Sequence, residues 1–282
     1  MKNLRNQSIF ACLFLLVLVP LSAEAVPPPS PAGGNYLVLD GVDDHAILDF
    51  ETFGLLMPKG TDFTFEAWIY PTTLPDKNVN AIILSQQVRM HVWDHDHNNL
   101  KLMGGAHVAL GAAHVLIAFG HIKFPPNQWH HIAFQGGKEQ NTTIIVNDDV
   151  RALGRQKIIL ADDISHAGHP QAFTIGGFGE NIEFHAGHFW GHFSGYIDEV
   201  RISKVARYNT AKRGFTPREK FKNDAKTVAL WHFDEARGVQ KFLDTSGNAY
   251  HLMGKNGAKT DGEFAAVEAE GKLATLWGRL KQ

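Results

Sequence analysis

Residues Gly195–Ala206 read GYIDEVRISKVA, and this stretch decides the fold. Tyr196, Ile197, Val200 and Ile202 are β-formers with Asp198, Glu199, Arg201 and Lys204 set between them, the pattern of a half-buried antiparallel strand. Strict alternation along it sends the adjacent Asp198 and Glu199 to opposite sides. Working outward, short β-rich runs recur between Gly, Asn, Asp and Pro punctuation. They are Phe63–Tyr70, Ala81–Leu84, Val88–Trp93, His130–Gln135, Thr142–Val146, Phe173–Ile175 and Thr227–Phe233. Few stretches look helical, so an all-β sandwich is expected. Within the first run, Phe63, Phe65, Ala67 and Ile69 share one face and Trp68 takes the other, where packed sheets would cover it. Asn147-Asp148-Asp149 marks a tight hairpin turn. Val205–Phe221, with its Lys/Arg cluster and Pro217, reads as an exposed crossover and not as a binding patch.

The ends have a different character. Lys2 and Arg5 precede an apolar run from Ile9 to Val19 and the small-x-small site Ala23-Glu24-Ala25, which reads as a secretory signal peptide over residues 1–25. That run is short for a bilayer, and no later segment approaches the roughly 20 apolar residues of a transmembrane helix. Cleavage would change the formal charge from −2 to −3, because two cations and one anion leave. This balance gives no electrostatic basis for binding nucleic acid or an anionic membrane. The only cysteine, Cys12, lies inside the apolar run, so the exported product has no disulfide and depends on a large core or a bound metal. Residues 26–34, VPPPSPAGG, form a Pro/Gly spacer. Over residues 263–282, Leu273, Leu276, Trp277 and Leu280 fall at i, i+3, i+4 and i+7, which predicts a short amphipathic C-terminal helix docked on the sandwich, a partner or a surface component.

Five segments in order resemble the LamG-like jelly-roll domains of the concanavalin A-like lectin and glucanase superfamily. They are LDGVDDHAIL (Leu39–Leu48), FTFEAWIYP (Phe63–Pro71), WHHIAF (Trp129–Phe134) followed by TIIVND, IGGF (Ile175–Phe178) and GYIDEVRISKVAR (Gly195–Arg207). The resemblance spans Asn35–Ala258 and implies a two-sheet antiparallel jelly roll. ALWHFDEARG and DTSGNAYHLMG, within Ala229–Gly254, look like the strand pair that usually opens such domains, yet here they come last. A single domain over residues 35–262 with permuted strand order is therefore expected. The alternative is the truncated start of a second repeat, which would leave an unpaired edge.

The same resemblance implies a structural calcium held by Asp40, Asp44 and Asp198, with loop carbonyls completing the six to eight oxygens the ion takes. Otherwise Asp40-Gly41 and Asp43-Asp44 are turn residues capping local amides. The 16 histidines are grouped: His91, His95 and His97 with Asp94 and Asp96; His130-His131; His166 and His169; His185, His188 and His192. Imidazoles suit zinc, copper or nickel, but the spacing matches no closed zinc motif, and hydrogen-bonding loop histidines explain the same letters. For a sugar, exposed aromatics with neighbouring polar groups are the usual means of recognition. Trp190, in FHAGHFWGHF (Phe184–Phe193), is the leading candidate, with Trp93, His188 and His192 beside it; burial is the competing role for Trp190. The glucanase branch carries an E-x-D-x-x-E strand that is not found here, nor is a Gly-x-Ser-x-Gly elbow. The expectation is a secreted, non-enzymatic module binding carbohydrate or a matrix or surface protein. The alternatives are a glycan-cleaving enzyme and a structural surface-assembly protein.

Overall fold

Alternating apolar residues set the strands of this computed structural model, which describes residues 29–94, 99–110, 113–165, 169–209 and 216–262. The expected signal peptide, residues 26–28 of the spacer and the C-terminal amphipathic segment lie outside the described residues. The chain runs through β1 (Asn35–Asp40), β2 (His45–Leu48), the single helical turn α1 (Phe50–Phe53), β3 (Phe63–Pro71), β4 (Val79–Ser85) and β5 (Val88–Asp94). It continues with β6 (Leu100–Leu110), β7 (Ala113–Phe124), β8 (His130–Gly136), β9 (Asn141–Val146), β10 (Asp149–Lys157), β11 (Phe173–Ile175) and β12 (Ile182–His185). The last strands are β13 (His188–His192), β14 (Ser194–Ser203), β15 (Thr227–Trp231), β16 (Lys241–Phe242), β17 (Leu252–Lys255) and β18 (Lys259–Gly262).

Two sheets result, as a jelly-roll sandwich requires. The first orders β10-β9-β8-β3-β14-β1-β18; β1 and β15 share one edge of β14 end to end, pairing with Ser194–Ile197 and Val200–Ser203 respectively. The second orders β16-β17-β2-β11-β4-β5-β6-β7, and the β12–β13 hairpin joins it through a parallel pairing of Phe189–His192 with Val79–Ile82. The late block enters both sheets, since β15 pairs with β14, β18 with β1 and β17 with β2.

Between the sheets lie Phe63, Phe65, Ala67 and Ile69 of β3, Val88, Met90 and Val92 of β5, and Val200, Ile202 and Trp231. Trp68 is not covered by the opposing sheet. It packs with Phe221 and Leu230 in a separate cluster, and its Nε1–H donates to the Arg218 carbonyl at 3.1 Å, so a loop and not the second sheet buries it. Alternation also fails once on β14. Asp198 faces Trp68 and Arg201 faces Glu66, which leaves Glu199 and Val200 together opposite Ala67; Glu199 takes a φ of 53°. This β-bulge puts Asp198 and Glu199 on the same outer side of the sheet, against the expectation of opposite sides.

Candidate functional site

Because Val88, Met90 and Val92 point into the core, Arg89, His91 and Trp93 project from the other face of the second sheet. Their cross-strand partners on β6 are Gly105, Met103 and Lys101, and the Lys101 ammonium sits 5.8 Å from the Trp93 ring centre. The Arg89 guanidinium lies 4.2 Å over Trp190 and donates from Nε to the Ser85 hydroxyl at 3.2 Å, while Nη2 has no hydrogen-bond partner. Burial pulls Arg89 down to about 9. His91 meets Trp190 edge-on at 5.1 Å, and burial, then the charge of Arg89, pull it down to about 3, so it stays neutral.

Trp190 is therefore not an open platform. It is only 8% exposed, and Phe184 stacks on it at 4.1 Å and 24°. At those separations Arg89 and Phe184 take opposite faces of the indole, and the surface this stack offers to solvent is Phe184, 43% exposed. His188 is exposed on the same hairpin, 6.2 Å from Phe184, and Trp93 is half-buried.

Two residues further along β13, His192 turns toward the rim between the sheets. Its ring packs on Gly177, where a Cβ would fall 2.1 Å from Cδ2, so only glycine permits this seat. His192 Nε2 accepts from the Gly179 amide at 3.0 Å, which puts the proton on Nδ1, and that buried N–H has no partner. Burial, then the charge of His45, lower its pKa. A cleft of about 230 Å³ opens beside it, lined among others by Asp40, Thr73, Asp76, Asn181 and Ser194.

Asp40 belongs to the β1–β2 turn. Its Oδ1 accepts from the Val42 amide at 2.8 Å, and Asp44 Oδ2 accepts from the Asp40 amide at 3.2 Å. Carboxylate oxygens of Asp40, Asp43 and Asp44 lie within 4.8 Å of one another. Ligands of one calcium at about 2.3–2.6 Å can stand that far apart, and the donors are hard oxygens, so this group fits the ion in kind and spacing. Burial, then the charge of Asp40, raise the Asp44 pKa, a repulsion that a bound cation would relieve.

Asp198 does not join this group. Asp40 pairs with Ser194, and Asp198 lies four residues further along β14, roughly 13 Å away at strand rise. There it is fully buried, accepting from the Ser30 hydroxyl and, at 2.8 Å, from the Glu199 amide. Glu199 in turn accepts from the Phe221 amide and pairs with His232 Nδ1, both at 2.5 Å. Burial, with Glu199 and Asp234 nearby, holds the Asp198 carboxyl well above its ordinary 3.8 despite the Ser30 hydrogen bond. The native state therefore keeps a proton that the unfolded chain releases, and stability falls as pH rises from about 4 toward the native pKa. Asp198→Asn mimics the protonated form, so its advantage over the wild type should grow by about 1.4 kcal/mol per pH unit across that window. Urea melts from pH 4 to pH 8 would show this, and parallel curves for the two proteins would refute it.

The other histidines are dispersed. His130 Nε2 donates to the Pro125 carbonyl at 2.8 Å, His131 meets Glu66 at 3.4 Å, and His107 and His169 share an Nε2···Nε2 contact of 3.1 Å. His95, His97, Asp96 and His166 lie outside the described residues, as does the side chain of Asp94. Among the described residues, the only three-residue His/Cys/Asp/Glu group close enough to share an ion is the Asp40 turn. Sequence reasoning passed over Arg89, Asp76, Asn181 and Phe184, and it grouped His91 with possible metal ligands and not with Trp190. Alternation in Val88–Trp93 carried the signal for Arg89 and His91 sharing a face.

Among the described residues no helix is long and apolar enough to cross a membrane. A family model, Laminin_G_3 of the concanavalin A-like lectin/glucanases superfamily, matches residues 40–211. A 1.50 Å crystal structure from Bacteroides ovatus ATCC 8483, of a protein proposed to bind carbohydrate, aligns over 82% of this chain with a TM-score of 0.54 and 19% identity. This chain spans 60% of that one, and the likeness is one of fold. No curated protein matches. The two-sheet sandwich and the family match over residues 40–211 together place the chain in the concanavalin A-like lectin/glucanase superfamily.

Proposed function

We propose that the chain is an exported, non-catalytic module, a single permuted domain over residues 35–262, whose rim cleft holds one sugar ring of a carbohydrate. The observation that carries this reading is one small cleft lined by Asp40, Asp76, Asn181 and His192, whose buried Nδ1–H has no partner. A volume of about 230 Å³ is below the roughly 300–1,000 Å³ of drug-sized sites and suits one ring. Sugar hydroxyls would donate to Asp40 and Asp76 and accept from His192 and Asn181, while Phe184 covers an apolar sugar face further along. Calcium on Asp40, Asp43 and Asp44 would neutralise the turn and fix the cleft wall. Asp198 and Glu199, both buried and hydrogen-bonded, offer no open acid pair for hydrolysis. The expected signal peptide supports an extracellular or cell-surface location.

A glycan array probed with and without calcium tests this, followed by titration calorimetry on the best ligand. Glycan binding is expected in calcium, and His192→Ala should weaken it by about tenfold, the loss of one buried hydrogen bond. Chelation should also lower the melting temperature by several degrees. An empty array overturns the reading, and so does release of reducing sugar that stops with Asp76→Asn.

A further inference from the structure

We infer that the outer face of the first sheet carries a second site, separate from the rim cleft, for a tetrahedral oxyanion: sulfate or phosphate, free or as a sugar monoester. The sequence presents residues up to Phe221 as an exposed crossover, but the part described from residue 216 onward is fastened to the sandwich. Trp68 Nε1–H holds the Arg218 carbonyl at 3.1 Å, Glu199 holds the Phe221 amide at 2.5 Å, and Arg201 Nη1 donates to the Lys222 carbonyl at 3.2 Å. Asn223 Nδ2 reaches the carbonyls of Thr245 and Ser246 at 3.2 and 3.0 Å. The anchored backbone fixes where the cations of this strap emerge, so that binding need order only their exposed side chains.

A cleft of about 460 Å³ lies against the strap, with Arg201, Arg207, Tyr208, Arg218, Lys222 and Asp224 among its lining. Two of its cations are already matched. Arg201 is bound to the buried Glu66 at 2.7 and 2.8 Å, and Arg207 grips Asp224 with two hydrogen bonds of 2.9 Å. Arg218 and Lys222 have no ion-pair partner among the described residues, whereas the neighbouring Lys220 is tied to Asp234 at 2.6 Å. The cleft thus carries two cations in excess on a chain whose formal charge is −2. A planar guanidinium can donate to two oxygens of one oxyanion while an ammonium adds a point charge, so an arginine and a lysine lining one cleft suit such an ion. The bidentate grip of Arg207 on Asp224 shows that a guanidinium in this wall can meet two oxygens of one group.

Titration calorimetry on the full chain would use sodium sulfate, sodium phosphate, galactose 6-sulfate and galactose, each at one ionic strength held with chloride. Saturable binding of at least one oxyanion is expected, with none of galactose at this site. The double variant Arg218→Ala/Lys222→Ala should lower oxyanion affinity by about tenfold or more. Both side chains are exposed, so the variant should melt with the wild type, and its glycan binding at the rim cleft should be unchanged. Equal affinity for sulfate and galactose 6-sulfate would assign a free oxyanion, and preference for the ester would assign a sugar monoester. No saturable binding of any of the three anions, or equal binding by the double variant, overturns the proposal. Failure here leaves His192-dependent glycan binding untouched, and the reverse also holds.

Discussion

Replacing Trp231 by alanine should cost the fold about 3–5 kcal/mol, the range for emptying a buried tryptophan site. Trp231 is fully buried and heads the largest core side chains. Its ring lies nearly parallel to Phe173, at 5.4 Å and 13°, so a side chain from the late block of the first sheet packs directly on β11 of the second. Its Nε1–H donates to the Tyr250 carbonyl at 2.7 Å, and alanine would leave that carbonyl without its donor. Trp231→Phe keeps an aromatic ring against Phe173 while losing the hydrogen bond and part of the buried ring volume, so it should cost markedly less than Trp231→Ala. Urea unfolding followed by circular dichroism gives both values. A loss below about 1 kcal/mol for alanine would mean that the core tolerates removal of the late block and that residues 35–262 are not one folding unit.

The reach of sequence reasoning follows from what alternation can encode. β3, β5, β8, β9 and β14 sit where β-rich runs were read, because each is a local pattern with one face in the core. The long hairpin β6–β7 was passed over, since Gly104 and Gly105 read as punctuation. Gly104 is there because the Phe134 ring crosses it, and a Cβ would fall 2.6 Å from that ring. No local pattern reports such a contact. The bulge at Glu199 is equally hidden, and it reverses the facing of one carboxylate. For the site, His192 and Asp40 were both singled out, but for different purposes. Their meeting in one cleft depends on the antiparallel pairing of β1 with β14, which sets Asp40 opposite Ser194, two residues past His192, and joins segments about 150 residues apart. Trp190 was read as the leading sugar contact with burial as its competing role, and its burial between Arg89 and Phe184 depends on the parallel pairing of β13 with β4.

Glu66→Gln should cost a comparable 3–5 kcal/mol near neutral pH, through charge and not through volume. Glu66 is fully buried, ion-paired with Arg201 at 2.7 Å and approached by Arg207 at 3.8 Å, His131 at 3.4 Å and the Tyr208 hydroxyl. Burial alone would raise its pKa, but the His131 hydrogen bond and the charge of Arg201 bring it below the ordinary 4.5. The native state thus holds the proton less tightly than the unfolded chain. The stabilisation is complete above about pH 4.5 and is lost as pH falls through the depressed native value. Glutamine preserves shape while stranding a buried Arg201, so the gap between variant and wild type should be widest at neutral pH and close in acid. As a contrast, Lys59→Ala breaks the half-exposed pair with Asp162 and should shift stability by less than about 1 kcal/mol. Urea midpoints from pH 3 to pH 8 separate these cases, and a gap for Glu66→Gln that does not vary with pH would show that charge pairing is not what the buried carboxylate contributes. Arg201 also holds the Lys222 carbonyl, so loosening it should weaken sulfate or phosphate binding in the strap cleft while leaving the His192 cleft intact.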